Sequence, residues 1–563
     1  MQKTEHTRSD RKRNLLLFLI FCCAAGWLFY QLYPLLMGTH DDMLNYVLMR
    51  QGNMFQSGLD AAKRGRISQI WDYPLLGFPF LLNKVWFYKL VVYTCYLFDV
   101  WSMWLLLSRH VSRDFAALTA ILTVAWSTLT PYHNLLISYG CCHQLPLGLA
   151  FLSLYFYCNF LRDGKKLHLL RSSLLLLAAV MIYEAFSTLV LIFGLLALVH
   201  REDKKTSFFG HIGKTFLRVI LPVFLVVSYI LVYYLWQWNY PSAYGGTELN
   251  FSEPLLSLKA WSKFSLGYFP LAGLVKHIAE TKHDFAYYIG QLPPAVIVIA
   301  VLVCVAAVLL IPRIQIKRRV YWRLLLCSLL GTFLPCVLIS FSTKYRGWSE
   351  RGVIAYLPSY YSFFFLMIFL VCILWGAYHV FKPKWLRVTM LTGILICLFG
   401  VTLSSGIVTN IWHRHYQKLT LRYRNFDYAV STEPITACDD TWQVYAPDNI
   451  GIHKSDEFTE LLLNVYNPAD VRYVHESAAI LEDRRILCMR CPENYAFAVI
   501  GEADTSMQAE QLTLRTLVPE QFDVSLKTVN GEFVTFTDVA EGDVLSAPNG
   551  DAFDMSVRVR VVG

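Results

Sequence analysis

The hydrophobic positions of this chain occur in long uninterrupted runs, and short loops rich in Lys and Arg separate the runs. The first run covers residues 15–37, which is long enough to cross a bilayer as a helix. Similar runs continue to about residue 408. The chain is 55% hydrophobic, more than a soluble protein of 563 residues needs. The pattern predicts an α-helical polytopic membrane protein with about 11 membrane helices.

The distribution of positive charge predicts the orientation of these helices. Loops that the pattern places inside, together with the N-terminus, hold 24 of the 50 Lys and Arg residues, and the outside loops hold 13. Cytoplasmic loops of membrane proteins carry such an excess. We therefore predict a multi-pass protein of the cell membrane with a cytoplasmic N-terminus and an extracytoplasmic C-terminal domain.

One apolar run, residues 172–199, has basic residues on both flanks. A single crossing would leave one of these basic flanks outside. A hairpin of two short helices that turns near Tyr183 and Glu184 keeps both flanks inside. It also removes the Glu184 carboxylate from the centre of the hydrocarbon, where a charge is costly. The hairpin is the favoured prediction, and one long helix is the alternative.

Charge also separates the last 154 residues from the rest. Residues 410–563 hold 13 Lys and Arg against 24 Asp and Glu and have no long apolar run. We predict a transmembrane domain over 1–409 and a soluble domain over 410–563. The soluble domain should be α/β or β-rich, with a linker helix followed by alternating strands and turns at 530–531 and 549–550. Its lone C-x-x-C, Cys488 and Cys491, is weak evidence for zinc, and a disulfide or no role is the better interpretation.

Two adjacent carboxylates, Asp41 and Asp42, follow the first apolar run. One of them could cap the next helix, because Asp is a favoured N-cap residue. A cap explains one carboxylate and not the pair. The functional interpretation is a general base, or a site for a divalent cation such as Mg²⁺ or Mn²⁺, on the outer face. Residues 43–67 then have the spacing of an amphipathic helix on the membrane surface.

Basic residues in a late outer loop run against the usual charge bias. Lys344, Arg346 and Arg351 lie in one short segment between two apolar runs, and Lys84 is a further candidate for the same cluster. Guanidinium groups bind phosphate in a bidentate manner. We predict that the cluster holds a lipid phosphate. The competing interpretation is ordinary contact with bulk phospholipid headgroups.

Other polar residues interrupt the apolar pattern. Glu184 and His143 lie in predicted outer turns and are candidate substrate contacts, with a structural hydrogen bond as the equal alternative for Glu184. For Asp99 we favour a buried partner for a Lys, Arg or Tyr of a neighbouring helix. No metal-ligand spacing connects His133 with His143, so no metal site is predicted at these histidines.

This arrangement resembles the integral-membrane glycosyltransferases of the GT-C fold. The resemblance covers roughly residues 10–410 and rests on four features: the segment Thr39-His40-Asp41-Asp42 after the first run, the Lys63-Arg64-Gly65-Arg66 end of the surface helix, the paired short helices around Tyr183-Glu184, and the late outer basic loop. Similar layouts occur in protein O-mannosyltransferases, aminoarabinose transferases and bacterial O-antigen glucosyltransferases.

The resemblance implies an inverting transfer of a sugar from a polyprenyl-phosphate donor on the extracytoplasmic face. Asp41 matches the catalytic base of the family better than Asp42, and the basic residues would hold the lipid phosphate. The acceptor would be a glycan, a lipid or a protein. The sequence has no nucleotide-binding fingerprint, and no nucleic-acid partner is expected.

Two other classes of protein fit parts of the pattern. A transporter or flippase of lipid-linked glycans would explain Asp99 and Glu184 as intramembrane polar groups. A polysaccharide polymerase or ligase with a different membrane fold would make the Asp41–Asp42 pair incidental. The transporter class explains the large first outer loop and the outer soluble domain less well than a glycosyltransferase does, and a polymerase or ligase would typically place its decisive basic residues in large later loops.

The predicted topology has a direct test. A reporter that is active only in the cytoplasm, fused after Gly563, should be silent, because the bias of the basic loops places the C-terminal domain outside. The same reporter fused within the basic loop near residue 317 should be active. A strong signal from the C-terminal fusion would overturn the orientation of the whole chain.

Overall fold

A computed structural model describes residues 2–36, 38–131, 133–200, 208–242, 244–246, 248, 250–448, 456–467, 471–494 and 496–562. The basic residues predicted at 201–205 lie outside this part of the chain. The first half of the chain is helical: α1 Gln2–Leu32, α2 His40–Arg50, α3 Met54–Lys63, α4 Gln69–Gly77, α5 Val85–His110, α6 Arg113–Trp126, α7 Leu145–Asp163, α8 Lys166–Ile182, α9 Val190–Val199 and α10 Phe208–Asn239.

The second half begins with helices and ends with strands. Its helices are α11 Pro254–Leu266, α12 Pro270–Thr281, α13 Phe285–Gly290, α14 Pro294–Leu310, α15 Arg318–Phe333, α16 Val337–Ser340, α17 Thr343–Glu350, α18 Leu357–Val380, α19 Lys384–Val430, α20 Glu433–Thr436 and α21 Asp456–Tyr466. Its strands are β1 Trp442–Tyr445, β2 Arg472–Val474, β3 Arg485–Arg490, β4 Ala498–Ala503, β5 Gln508–Ala509, β6 Gln511–Arg515, β7 Phe522–Lys527, β8 Phe533–Val539, β9 Val544–Ser546, β10 Phe553–Asp554 and β11 Arg560–Val562.

Eight helical segments in the described part of the chain are long and apolar enough to cross a bilayer. They are Asp10–Leu32, Val85–His110, Leu145–Asp163, Ile212–Asn239, Pro294–Arg313, Arg318–Ser340, Leu357–Val380 and Lys384–Val430. The predicted run at 115–129 becomes α6, a helix of 14 residues. The predicted fold class, a polytopic helical membrane protein with a β-rich C-terminal region, is confirmed.

Interactions among the helix ends define one end of the transmembrane bundle, which we call the basic end. Here Arg13 lies 3.5 Å from Asp114, and Trp375 donates a hydrogen bond of 2.9 Å to the Ile314 carbonyl. His110, Arg162, His200 and Arg323 line one cavity at this end. The described loops at this end include most of those that the sequence predicts to be cytoplasmic.

The predicted hairpin is present. Tyr183 has an extended backbone that ends α8, and a 3₁₀ turn at Glu184–Leu189 leads into α9. The Thr188 hydroxyl donates to the Leu334 carbonyl, which follows the far end of α15. Arg323, in the first turns of α15, donates to the carbonyl of Val199 at the end of α9. Both ends of the hairpin therefore lie at the basic end, and Tyr183-Glu184 lies at the opposite end.

The chain forms two compact units, Met1–Pro34 with Met54–Arg414, and Leu35–Asn53 with His415–Gly563. The segment that carries Asp41 and Asp42 thus groups with the C-terminal residues, although the sequence placed it in the 1–409 domain. The prediction of a single surface helix over 43–67 is wrong, because α2 and α3 are separate helices. Gly52 between them has a φ of 72°, a left-handed conformation that favours glycine and ends α2.

The C-terminal unit is built around a mixed sheet. Its six strands have the order β2-β1-β3-β4-β6-β9, with parallel pairing of β1 to β2 and β3 and antiparallel pairing from β3 to β9. A second sheet has the order β11-β7-β8. Side chains such as Ile486, Val499, Leu512 and Phe553 form the buried core of the unit. The predicted turns at 530–531 and 549–550 are present, since Gly531 and Gly550 have positive φ.

Two details of this unit differ from the sequence prediction. The strands β1 and β2 precede residue 484, where the β-rich part was expected to begin, because each is too short to show an alternating pattern. Cys488 and Cys491 are buried free thiols, and no disulfide joins them.

Asp99 has the structural role that the sequence favoured. Its carboxylate lies on α5, fully buried, and accepts a hydrogen bond of 2.8 Å from the hydroxyl of Tyr360 on α18. A buried carboxyl group needs such a partner. Asp99 therefore connects two helices of the bundle.

Candidate functional site

The two adjacent carboxylates have different surroundings. Asp42 is buried and is the third helical residue of α2, where it forms a capping box with Thr39. Its Oδ2 accepts from the Thr39 backbone N–H at 3.1 Å and from the Thr39 hydroxyl at 2.8 Å, and its own N–H donates to the Thr39 oxygen at 3.2 Å. Asp41 is exposed. The capping alternative therefore describes Asp42, and Asp41 is the carboxylate that faces water.

Residues further along α2 hold this segment within its unit. Tyr46 donates a hydrogen bond to the Asp427 carboxylate at 3.1 Å, and Tyr466 donates to the same carboxylate at 2.6 Å. Burial and the neighbouring Asp427 charge raise the pKa of Tyr46 to about 12, so the phenol keeps its proton and remains a donor. The guanidinium of Arg50 lies 5.4 Å from the centre of the Tyr466 ring. These contacts fix the helix whose first turn carries Asp41.

In the transmembrane unit, the short helix α17 presents the predicted cations among aromatic rings at the end opposite the basic end. We call these rings the aromatic cluster. They come from the loop before α7, the hairpin turn, the loop after α10, and α17 with the segment that follows it: His133, Tyr139, His143, Tyr183, Tyr244, Tyr345, Trp348 and Tyr356.

Ring contacts and hydroxyl hydrogen bonds connect the members of this cluster. The His133 ring stacks on Trp348 with 5.6 Å between centres and 5° between planes, and His133 shares a hydrogen bond with the Tyr139 hydroxyl. The Tyr244 and Tyr345 hydroxyls are 2.7 Å apart. Four segments distant in sequence are thereby held as one surface.

Lys344 is the cation at the centre of the aromatic cluster. Its Nζ lies 4.1 Å from the centre of the Tyr244 ring and 5.4 Å from that of Trp348, and it donates to the Tyr244 hydroxyl at 3.0 Å. An ammonium over aromatic faces gains cation–π attraction. Arg66 lies 4.7 Å from the Tyr244 ring centre and adds a second positive charge.

The phenol of Tyr345 beside Lys344 is a neutral donor. Burial raises the pKa of Tyr345 far above its ordinary value, and the neighbouring phenols of Tyr356 and Tyr244 raise it further. A phenol with a raised pKa keeps its proton at physiological pH. The surface therefore combines positive charge with neutral hydroxyl groups and has the chemistry to bind an anion.

Arg346 is buried in the same helix and is only partly paired. Its Nη2 lies 2.7 Å from a carboxylate oxygen of Glu253, whose side chain is half exposed. Its Nη1 is buried with no hydrogen-bond partner among the described residues. A buried donor without an acceptor is costly, so this atom favours an acceptor supplied by a ligand.

The other predicted cations lie outside this arrangement. Arg351 is exposed at the C-terminal end of α17, and Lys84 is exposed at the N-cap of α5. Neither makes a ring contact with the aromatic cluster among the contacts that the structure describes. Their predicted phosphate-binding role stays a prediction.

Tyr183, the residue before Glu184, contacts the ring of His143. His143 is buried, with its ring 5.0 Å from that of Tyr183, and its carbonyl accepts a hydrogen bond from Tyr361. Glu184 is half buried and begins the 3₁₀ turn. The hairpin thus brings a carboxylate and an imidazole to the edge of the aromatic cluster.

Sequence reasoning missed two residues of this site. Glu253, the partner of Arg346, lies 93 residues earlier, and no local pattern connects the two. The sequence analysis named Arg66 only as part of a basic segment. The glycine before it was the available cue, because Gly65 has a φ of 87° and a Cβ there would lie 2.7 Å from the Tyr240 carbonyl. This close approach positions Arg66 beside Tyr244.

Comparison with known proteins adds little to this geometry. No protein-family model and no curated protein matches the chain. Among solved structures, ArnT from Cupriavidus metallidurans bound to undecaprenyl phosphate is similar, with 13% sequence identity and a TM-score of 0.38 over 85% of this chain and 93% of that chain. At this identity and TM-score the likeness carries no argument about the fold or the function of this chain.

The structural roles of Asp41 and Asp42 can be distinguished by the effect of each substitution on the free energy of unfolding. Asp42→Ala should lower the free energy of unfolding by about 1 kcal/mol, because it removes half of a capping box. Asp41→Ala should change it by less than about 0.5 kcal/mol, as for most exposed positions. Thermal unfolding of the purified variants in detergent measures both. Equal losses would show that Asp41 is structural as well.

Proposed function

We propose that this protein is a membrane glycosyltransferase that moves a sugar from a polyprenyl-phosphate donor to an acceptor hydroxyl on the extracytoplasmic face, in the modification of cell-envelope glycans. The observation that carries the proposal is the position of Lys344 over the rings of the aromatic cluster, with the partly unpaired Arg346 two residues further along α17. Phosphate is the anion that such cations recognise, and aromatic faces stack on sugar rings.

The donor phosphate is assigned to the cations of α17. Arg346 offers the unpaired Nη1, and Lys344 and the Tyr244 hydroxyl offer donors 3.0 Å from one another. Negative charge grows on the phosphate as the bond from the sugar to the phosphate oxygen breaks. Donors that are already in place stabilise this charge more in the transition state than in the bound donor.

The aromatic rings are assigned to the sugar. His133 and Trp348 form a stacked pair, and the phenols of Tyr345 and Tyr356 lie beside it with their hydroxyls 3.3 Å apart. Such faces bind the apolar face of a pyranose, and neutral phenols donate to its hydroxyls. The rings also keep water away from the bond that breaks.

The general base is assigned to Asp41 from the resemblance in sequence. It would take the proton of the acceptor hydroxyl while that oxygen attacks the anomeric carbon, and polyprenyl phosphate would leave from the opposite side. Such a displacement inverts the configuration at the anomeric carbon. Asp41 is exposed at the start of α2, so an acceptor can reach it from water. Asp42 is occupied by the helix cap.

The role of the α17 cations can be measured by kinetics. Lys344→Gln and Arg346→Gln should each raise the KM for a polyprenyl-phosphate sugar by about tenfold or more, because each removes a charged hydrogen bond to the donor phosphate. If the lost hydrogen bond to the phosphate is stronger in the transition state than in the bound donor, kcat should fall as well. Lys259→Gln, an exposed lysine of α11, is the matched control.

The same measurement on Arg351→Gln determines whether the exposed guanidinium shares this role. Unchanged kinetics in both Lys344→Gln and Arg346→Gln would leave only ordinary contact with lipid headgroups for this helix.

The role of Asp41 is tested by Asp41→Asn, which keeps size and removes the basicity. Transfer should fall by roughly two to four orders of magnitude if Asp41 is the base, while donor binding persists. Asp42→Asn should retain most activity, because the amide oxygen still accepts from Thr39. Two variants that both transfer sugar at the parent rate would exclude the proposed mechanism.

A further inference from the structure

The cavity at the basic end of the transmembrane unit lies at the opposite end of the helices from the aromatic cluster. It has a volume of about 380 Å³ and lies among α5, α7, α9, α15 and α18. This volume is within the range of ligand pockets, roughly 300–1,000 Å³. The proposed transfer reaction makes no use of this cavity.

The basic side chains of the cavity lining lie at its mouth. His110 is the last residue of α5, Arg162 is next to the last residue of α7, His200 follows α9, and Arg323 lies in the second turn of α15. None of the described residues that line the cavity is Asp or Glu. The described lining of the mouth therefore carries the positive charges of Arg162 and Arg323 and no carboxylate.

One donor in the mouth has no acceptor among the described residues. Arg323 uses one guanidinium nitrogen for the Val199 carbonyl, but its Nε is buried without a hydrogen-bond partner in the part of the chain that the structure describes. Arg162 donates to Asn159 at 2.9 Å and can donate further. An anion in the mouth would satisfy these groups.

The body of the cavity is apolar and deep. Leu154 lines it two turns before Arg162 on α7, so it extends about 12 Å from the mouth at 1.5 Å per residue. Half of the hydrocarbon core of a bilayer is about 15 Å thick. Ile192 and Phe365 line the same body. The cavity therefore matches a phosphate headgroup at the membrane surface with a hydrocarbon chain below it.

We propose that this cavity binds an anionic phospholipid of the leaflet at the basic end. Its phosphate contacts Arg162 and Arg323 in the mouth, and one acyl chain fills the space between α7, α9 and α18. This site is independent of the donor site, because the two lie at opposite ends of the helices. It would bind lipid whether or not the protein transfers sugar.

Native mass spectrometry of the full-length protein, stripped of lipid in detergent, tests the proposal with phosphatidylglycerol as the probe. One phosphatidylglycerol should bind more tightly than phosphatidylcholine. Arg162→Gln and Arg323→Gln should each weaken its binding about tenfold or more. Arg319→Gln is the matched control, because Arg319 is an exposed arginine of α15 that does not line the cavity. The affinity of this variant for phosphatidylglycerol should stay within about twofold of the parent's.

A variant without a charge change tests the apolar part. Leu196→Phe narrows the body of the cavity and leaves the charge of the mouth intact, so it should weaken the binding of phosphatidylglycerol through the apolar part alone. If Arg323→Gln fails to fold because it loses the Val199 contact, Arg162→Gln and Leu196→Phe carry the test.

Three results would overturn the proposal. Equal binding of phosphatidylglycerol by the parent, Arg162→Gln and Leu196→Phe would show that no such site exists. Full displacement of the lipid by inorganic phosphate would show a phosphate site that does not need a chain. Tighter binding of undecaprenyl phosphate than of phosphatidylglycerol would replace the phospholipid with a polyprenyl lipid.

Discussion

The exclusion of unpaired polar groups from hydrocarbon governs the transmembrane unit. Each peptide group that crosses the bilayer must bond within its own helix, and each charged side chain must leave the apolar layer or find a partner. Asp99 finds a partner in Tyr360. The charged residues on which the two proposed sites depend lie at the two ends of the helices, so each end has its own chemistry. The basic end has guanidinium groups over an apolar cavity, and the opposite end has cations among aromatic rings.

At the opposite end, the same constraint places charge where it can act on a lipid-borne substrate. In the proposed reaction, a donor with an isoprenoid chain would keep its sugar-phosphate at the membrane surface. Lys344 is held over aromatic faces, and Arg346 is held by Glu253, which leaves part of the guanidinium without a partner. Both cations are positioned by protein contacts before a ligand arrives. Pre-organised donors of this kind bind a developing phosphate charge without reorganising.

The sequence predicted what depends on local composition. Long apolar runs predicted the spans, and basic flanks predicted the hairpin at Tyr183-Glu184, because membrane insertion reads hydrophobicity and charge along the chain. The turns at 530–531 and 549–550 followed from Asn-Gly pairs. The acidic composition of the last 154 residues predicted a separate soluble unit, and the structure has a β-rich unit there.

The sequence could not predict what depends on tertiary contacts. The capping box of Asp42 could be predicted only if the first residue of α2 were known. The pairing of Arg346 with Glu253 joins residues 93 positions apart. The break at Gly52 gives two helices where the apolar spacing continued. The grouping of residues 35–53 with the C-terminal unit depends on Tyr46, Asp427 and Tyr466, whose hydrogen bonds leave no trace in a local pattern.

The most direct test of the account is a transfer assay with the purified protein and a panel of polyprenyl-phosphate sugars carrying labelled sugars. The account predicts that the protein consumes at least one donor and releases one polyprenyl phosphate for each sugar transferred. If no donor in the panel is consumed while the protein moves an intact lipid-linked sugar across a vesicle bilayer, the protein is a transporter, and the assignment of the aromatic cluster to catalysis is wrong.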